Sequence, residues 1–248
     1  MKMRMKYALK YQINEYKKPV ITFYIVIYSI YILMTLSNLT RKNPDDYSNV
    51  GGMEMASMIF LFVAGLNCFK QNFRMLMQNG ISRRSVFTSN VLGILPVAGL
   101  MALVDSINRI IFGQLAGYQS FFQMLYPGWH GGQMSFLQIT LEGFVWMFFM
   151  YCMAAMAGYF ITTLYYRMNK PVKLAVSIGV PVMLFVVLPY IDNVLSGLHI
   201  FKGIYQFTSW AFGFNTDNPY MAVATCTVIF VVFGVLSWLL VRRAPIKD

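Results

Sequence analysis

Six apolar runs, separated by short polar or basic stretches, organise the chain from end to end, at residues 19–39, 53–68, 86–112, 139–165, 171–190 and 219–241. A helix that crosses hydrocarbon needs about 20 mostly apolar residues, so each run is predicted as a spanning helix, the second continuing beyond the bilayer. Local chemistry supports several boundaries. Pro19 suits a first helical turn, and Asn218 before Pro219 is a cap followed by proline at the first helical position. Pro96 is predicted to break or bend the third span, because proline removes a backbone donor. Pro181 and Pro189 fall in the fifth.

Ahead of the first run, Met5, Leu9, Ile13 and Tyr16 recur at helical spacing, while Lys6, Lys10 and Lys17 lie off that stripe. This pattern predicts an amphipathic helix over residues 1–18 lying in the headgroup region. The first run is too long for a signal-peptide core and no small-residue cleavage site follows it, so it is expected to be retained.

Composition agrees with the runs. The chain is 58% hydrophobic and 12% charged, against about a quarter charged in soluble domains. The expectation is one all-α integral membrane domain. The net charge of +11 does not indicate nucleic acid, since the cations fall in clusters between the runs. Sixteen of the 20 Lys and Arg residues lie before the first span, between spans two and three, between four and five, and after six. Arg41, Lys42 and Lys202 fall on the other side, and Arg109 lies within the third span. Cytoplasmic loops carry the excess of cations, so both termini are predicted inside.

Two outer segments, residues 114–138 and 193–217, are long, nearly uncharged and aromatic. Trp and Tyr favour the membrane–water boundary. These segments are predicted to dip into it as short helices or a re-entrant hairpin.

No signature of catalysis is present. The chain has no GxxxxGK[ST] phosphate loop, no HExxH pair and no GxSxG elbow. His130 and His199 are far apart, and Cys68, Cys152 and Cys226 sit in apolar runs without CxxC spacing, as packing residues do. No catalytic, cofactor-binding or metal-binding residue is expected.

The most informative stretch is residues 69–87, FKQNFRMLMQNGISRRSVF. Phe69, Phe73, Leu76 and Met77 form an apolar stripe beside a basic pair, Lys70 and Arg74. Asn79 and Gly80 supply a helix stop, and Ser82 can cap the next helix, bringing Arg83 and Arg84 to the mouth of the third span. Topology alone explains the charges. It does not explain a short amphipathic helix before a sharp turn, which presents a knob suited to a groove in a soluble partner.

Phe73, Arg74, Asn79, Gly80, Ile81, Ser82 and Arg83 resemble the coupling segment of ABC-2-type exporter permeases, in which F-R-x-x-x-x-N-G-I-S-R stands between spans two and three. The basic N-terminal helix, the six spans and the aromatic outer segment between spans five and six are similar in layout. Among these families, the phenol-soluble modulin exporter permeases and other small bacterial peptide exporters are the nearest group. The resemblance implies a multi-pass protein of the bacterial cytoplasmic membrane. It implies a second membrane subunit, identical or paralogous, and a separate cytoplasmic ATPase that binds ATP and Mg. Lys70, Arg74, Asn79, Gly80, Ser82, Arg83 and Arg84 would contact that ATPase. Amphipathic or hydrophobic peptides are the implied substrates. The alternative is a non-ATP-driven secondary carrier or another polytopic membrane protein; a carrier's mark would be repeats and matched span interruptions, and Pro96 and Pro181 are the positions where such breaks would fall.

A second feature is intramembrane charge. Asp105 and Arg109 are i, i+4 on the third span and share one helix face, with Ser106 and Asn108 close by and Glu142 near the outer start of the fourth span. Ions in hydrocarbon are costly and should face protein or water. A structural ion pair and a polar patch on an export path are both compatible with this spacing.

Overall fold

The computed structural model describes residues 2–40, 51–116, 118–129, 135–194 and 200–244. Their architecture is all-α: α1 (Lys2–Thr40), α2 (Glu54–Asn67), α3 (Lys70–Gln78), α4 (Arg83–Ala116), α5 (Phe121–Leu125), α6 (Phe136–Arg167), α7 (Lys170–Val182), α8 (Leu188–Val194), α9 (Ile200–Ala211) and α10 (Pro219–Arg242). Among the described residues, five helical stretches are long and apolar enough to cross a bilayer, namely Tyr7–Leu36, Arg83–Gly113, Leu137–Arg167, Lys170–Ile191 and Pro219–Arg242. The protein is therefore a multi-pass α-helical membrane protein.

Several boundaries differ from the sequence reading. The expected interfacial helix and first span are one helix of 39 residues with Pro19 inside it, about 58 Å long at 1.5 Å per residue. Flanking turns carry the helix across the one missing N–H. The second expected span is a helix of 14 residues, about 21 Å long. α4 continues helically through Pro96. The fifth span changes helix type along its length: α7, containing Pro181, passes into π turns at Met183–Val187 and then α8. Between the long helices, α5 and α9 are the short helices expected of the aromatic segments. Serine and glutamine form capping boxes at α5 (Ser120, Gln123) and α6 (Ser135, Gln138). The stretch with Arg41, Lys42, Asp45 and Asp46, both histidines and Lys247 lie outside the described residues.

α6 is the hub. Its most extensive contacts are with α2 and α10, then α4, while α1 packs on α4. The α2–α6 crossing is a backbone-to-backbone contact. A Cβ on Gly158 would overlap the Phe62 carbonyl oxygen and stand 2.9 Å from Leu66 N. Reciprocally, one on Gly65 would overlap the Ala155 carbonyl oxygen and stand 3.0 Å from Tyr159 N. Without a hydrophobic drive between helices in lipid, such close approach of small residues is what holds them.

The contacts also fix relative directions. α1 and α4 run the same way, with Tyr24 at Met101 and Tyr31 stacked on Phe112. α6 runs opposite to α4, since Arg109 meets Thr140 while Asn90 meets Tyr159. α2 and α10 run with α6: Glu54 meets Tyr151 and Phe69 meets Tyr166, and Cys226 meets Met150 while Phe160 stacks on Phe233. All three cysteines are free and buried, in keeping with a packing role.

Candidate functional site

Two assemblies hold the residues singled out from the sequence. The first is the segment from Phe69 to Ser85. α3 follows α2 after a turn at Cys68 and Phe69, and its apolar stripe points into the bundle. Phe69 and Phe73 are fully buried, stacked on each other at 4.9 Å and edge-on to Tyr166 at 5.3 and 5.8 Å. Asn72 donates from Nδ2 to Glu15 Oε2, tying α3 to α1. The stripe expected to help form a projecting knob is therefore the root of the segment. What it leaves outside is polar: Arg74, Gln78, Asn79, Gly80, Ser82 and Arg84 are exposed.

The turn after α3 closes as the sequence implies. Ile81 N donates to Leu76 O at 3.0 Å and Gly80 N to Met77 O at 3.0 Å, the paired bonds of a Schellman stop. Gly80 takes φ +72°, a conformation that costs a side-chain-bearing residue about 1–3 kcal/mol. Gly80→Val is expected to lower stability by about that amount, and Gly80→Asn by less, since asparagine tolerates the left-handed region. Thermal unfolding in detergent checks both; equal losses would mean that backbone conformation is not what selects glycine here. Ser82 then caps α4, its Oγ accepting from Ser85 N at 3.3 Å. Arg83 turns sideways and donates from Nη1 to the Arg242 carbonyl at 2.9 Å. Arg84 remains exposed, and Lys70 opens α3, its side chain outside the described residues.

The second assembly lies at the other end of α4. Spacing alone pairs Asp105 with Arg109. Asp105 accepts hydrogen bonds from tyrosines on two other helices, Tyr24 at 3.0 Å from α1 and Tyr151 at 2.5 Å from α6. Arg109 donates to Thr140 of α6. Asn108 accepts from Tyr28 at 3.0 Å through Oδ1. Glu142 accepts from Trp129 Nε1 at 2.6 Å.

Glu54, which the sequence reading passed over, is a further member. Buried at the start of α2, it accepts from the Tyr118 hydroxyl and from Phe121 N at 3.2 Å. Its place at two helix N-termini suits a carboxylate. Its Oε1 and Asn108 Nδ2 are buried without a hydrogen-bond partner among the described residues. Burial above all, and then the Glu54 charge, push the Tyr118 hydroxyl well above its ordinary value. Tyr126, donating to the Phe212 carbonyl at 2.7 Å, is pushed up to about 12 by its burial. Both therefore act as protonated donors at neutral pH. One signal for Glu54 was available: it is the only acidic residue in the second apolar run.

Chemically, this second assembly joins α1, α2, α4, α6 and the segment before α5 through hydroxyl–carboxylate bonds. Among the described residues, no three His, Cys, Asp or Glu side chains converge as a metal site. The first assembly presents a basic turn held from three sides, by α1, α6 and the end of α10. No family model, curated protein or solved structure matches the chain.

Proposed function

We propose that this chain is the membrane subunit of an ATP-binding-cassette exporter of the ABC-2 type, working with a separate cytoplasmic ATPase and a second membrane subunit in the bacterial cytoplasmic membrane. The observation that carries the reading is the turn at residues 79–84. Its apolar side is anchored in the bundle, and Arg74, Asn79, Gly80, Ser82 and Arg84 face outward from one compact helix–turn–helix. A rigidly rooted, outwardly polar projection suits the transmission of force from a soluble partner. ATP and Mg would be bound by that partner. Amphipathic or hydrophobic peptides are the proposed cargo.

Helix directions support six crossings with both termini on one side of the membrane, which the distribution of cations assigns to the cytoplasm. α1 and α4 run the same way, so the chain must return between them, and α2, running with α6, is the element available for it. α2 and the turn after it reach from the Tyr151 level of α6 to the Tyr166 level. That is about 22 Å at 1.5 Å per residue, a short crossing that a locally thinned bilayer accommodates. The carrier alternative draws less support. α4 passes Pro96 unbroken while π turns follow Pro181, so matched interruptions are not found among the described residues.

The test is co-purification with a phosphate-loop ATPase from the same cell. Arg74→Glu with Arg84→Glu is expected to weaken capture roughly tenfold, corresponding to about 1.4 kcal/mol, while the folded protein survives because both side chains are exposed. An ATPase that never associates, or whose turnover ignores these substitutions, would end the exporter reading.

A further inference from the structure

A cleft of about 500 Å³ lies between α6 and α10, where both helices end. That volume is within the range of small-molecule sites, about 300–1,000 Å³. Its walls are apolar, formed by Phe160 and Leu164 of α6 and by Leu236, Leu239 and Leu240 of α10. The Phe160 ring stacks on Phe233 at 5.0 Å, one turn deeper along α10 than Leu236. Three cations, Arg167, Arg242 and Arg243, line the same cleft. Among the described residues, none of the three has a carboxylate partner.

Position along the spans decides what such a cleft can hold. Arg167 and Arg242 are the last residues of the stretches Leu137–Arg167 and Pro219–Arg242. The arginines therefore close one end of both spans, at or beyond the hydrocarbon edge, and the apolar walls run inward from them. No wall of the cleft comes from α7, which follows α6 directly and buries no side chain. Arginine at a helix end is favourable beside the last carbonyls, and this accounts for each cation singly. It does not account for three guanidinium groups from two helices meeting around one apolar cleft.

We propose that this cleft is a binding site for an anionic phospholipid, its phosphate held by Arg167, Arg242 and Arg243 and one acyl chain laid between α6 and α10. Arginine matches phosphate through paired N–H donors, and the walls match a chain. The occupant is a lipid rather than a soluble anion because the apolar part of the site lies within the spans. Assignment to the cytoplasmic leaflet rests on the orientation proposed above. The site itself rests only on α6 and α10 being spans.

The Arg83 bond to the Arg242 carbonyl gives the lipid a route to influence the rest of the molecule. It joins the end of α10 to the first turn of α4, beside the turn at residues 79–84. A bound phosphate is thus one residue removed from the proposed coupling segment.

Native mass spectrometry of the full chain, delipidated in detergent and titrated with phosphatidylglycerol or phosphatidylcholine, tests the assignment. Wild type is expected to retain phosphatidylglycerol selectively. Combined Arg167→Gln, Arg242→Gln and Arg243→Gln should weaken retention on the order of 100-fold, from about fivefold per cation. Leu239→Trp, which fills the cleft without altering charge, should also reduce retention. Lys10→Gln, Lys17→Gln and Lys18→Gln together remove as much charge from α1 and should leave retention unchanged. Melting curves identify any variant that has merely unfolded, and Leu239→Trp then carries the test alone. Equal loss from both charge sets, or no preference for the anionic headgroup, would overturn the proposal. So would selective capture of an acidic amphipathic peptide without selective lipid retention. No ATPase enters the measurement, so its failure is distinct from failure of the exporter reading.

Discussion

Gly158→Leu is expected to prevent α2 from seating on α6 and to abolish the monodisperse folded protein in detergent. Overpacking a well-filled interface typically costs about 1–3 kcal/mol and occasionally more. This position belongs to the upper end because the obstruction is main chain. Even the first carbon of a side chain would overlap the Phe62 carbonyl oxygen and lie 2.9 Å from Leu66 N, neither of which can rotate away. Gly158→Ala should already lower the melting temperature, and Gly65→Ala should do so through the reciprocal overlap with Ala155. Gly179→Ala is the internal control: nothing lies within 4 Å of a Cβ there, so helix propensity should make it neutral or slightly stabilising. Size-exclusion profiles and thermal unfolding read all four. A Gly158→Leu protein that melts with the wild type would show that α2 does not cross α6 at this contact.

The second large effect is expected at Asp105. Asp105→Leu removes the nearer acceptor of two buried tyrosine hydroxyls on two other helices, leaving Tyr24 with the Met101 carbonyl at 3.2 Å and Tyr151 with the Glu54 carbonyl at 3.4 Å. A fully orphaned buried donor costs about 1–3 kcal/mol in soluble proteins, which bounds the loss from above, and interhelical hydrogen bonds in membranes average nearer about 0.6 kcal/mol. A total of about 1–3 kcal/mol is therefore expected. Asp105→Asn retains an acceptor and a similar shape, so it should cost less than half as much. A double-mutant cycle separates this account from a plain loss of packing. Combined with Tyr151→Phe, Asp105→Leu should show a coupling of about 1 kcal/mol, and with the exposed Tyr205→Phe none. Zero coupling with both Tyr151 and Tyr24 would mean that the carboxylate is not held by those hydroxyls.

What the sequence reveals about this fold follows the range of each signal. Hydrophobic runs and capping residues are local, and they locate α4, α6 and α10 to within a few residues. Asn79 and Gly80 likewise mark a real Schellman stop, because its bonds close within six residues. Pro19 misleads, because its ring is equally compatible with a first turn and with the interior of a long helix whose neighbouring turns are intact. The partners of Asp105 are the clearest limit. Tyr24, Tyr28 and Tyr31 recur on one side of α1, a stripe visible in the sequence. Only the packing of α1 on α4 turns it into donors for Asp105 and Asn108. The same applies to the stripe of α3: its amphipathicity is evident, but which face is buried depends on Tyr159 and Tyr166, about 90 residues away.

α1 touches both assemblies, and this has a mechanical consequence. Glu15 holds Asn72 of α3, and nine residues later Tyr24 holds Asp105, about 14 Å further along the same helix. Pro19 stands between them, and as a proline it cannot donate a backbone hydrogen bond to the Glu15 carbonyl four residues before it. The helix is thus a lever with a single point of compliance between two attachments. In the coupling proposed above, a displacement of α3 would pass to α1 at Glu15 and be partly absorbed at Pro19 before reaching the tyrosines. The stiffness of that one joint sets how much movement at the basic turn is felt by the buried carboxylates.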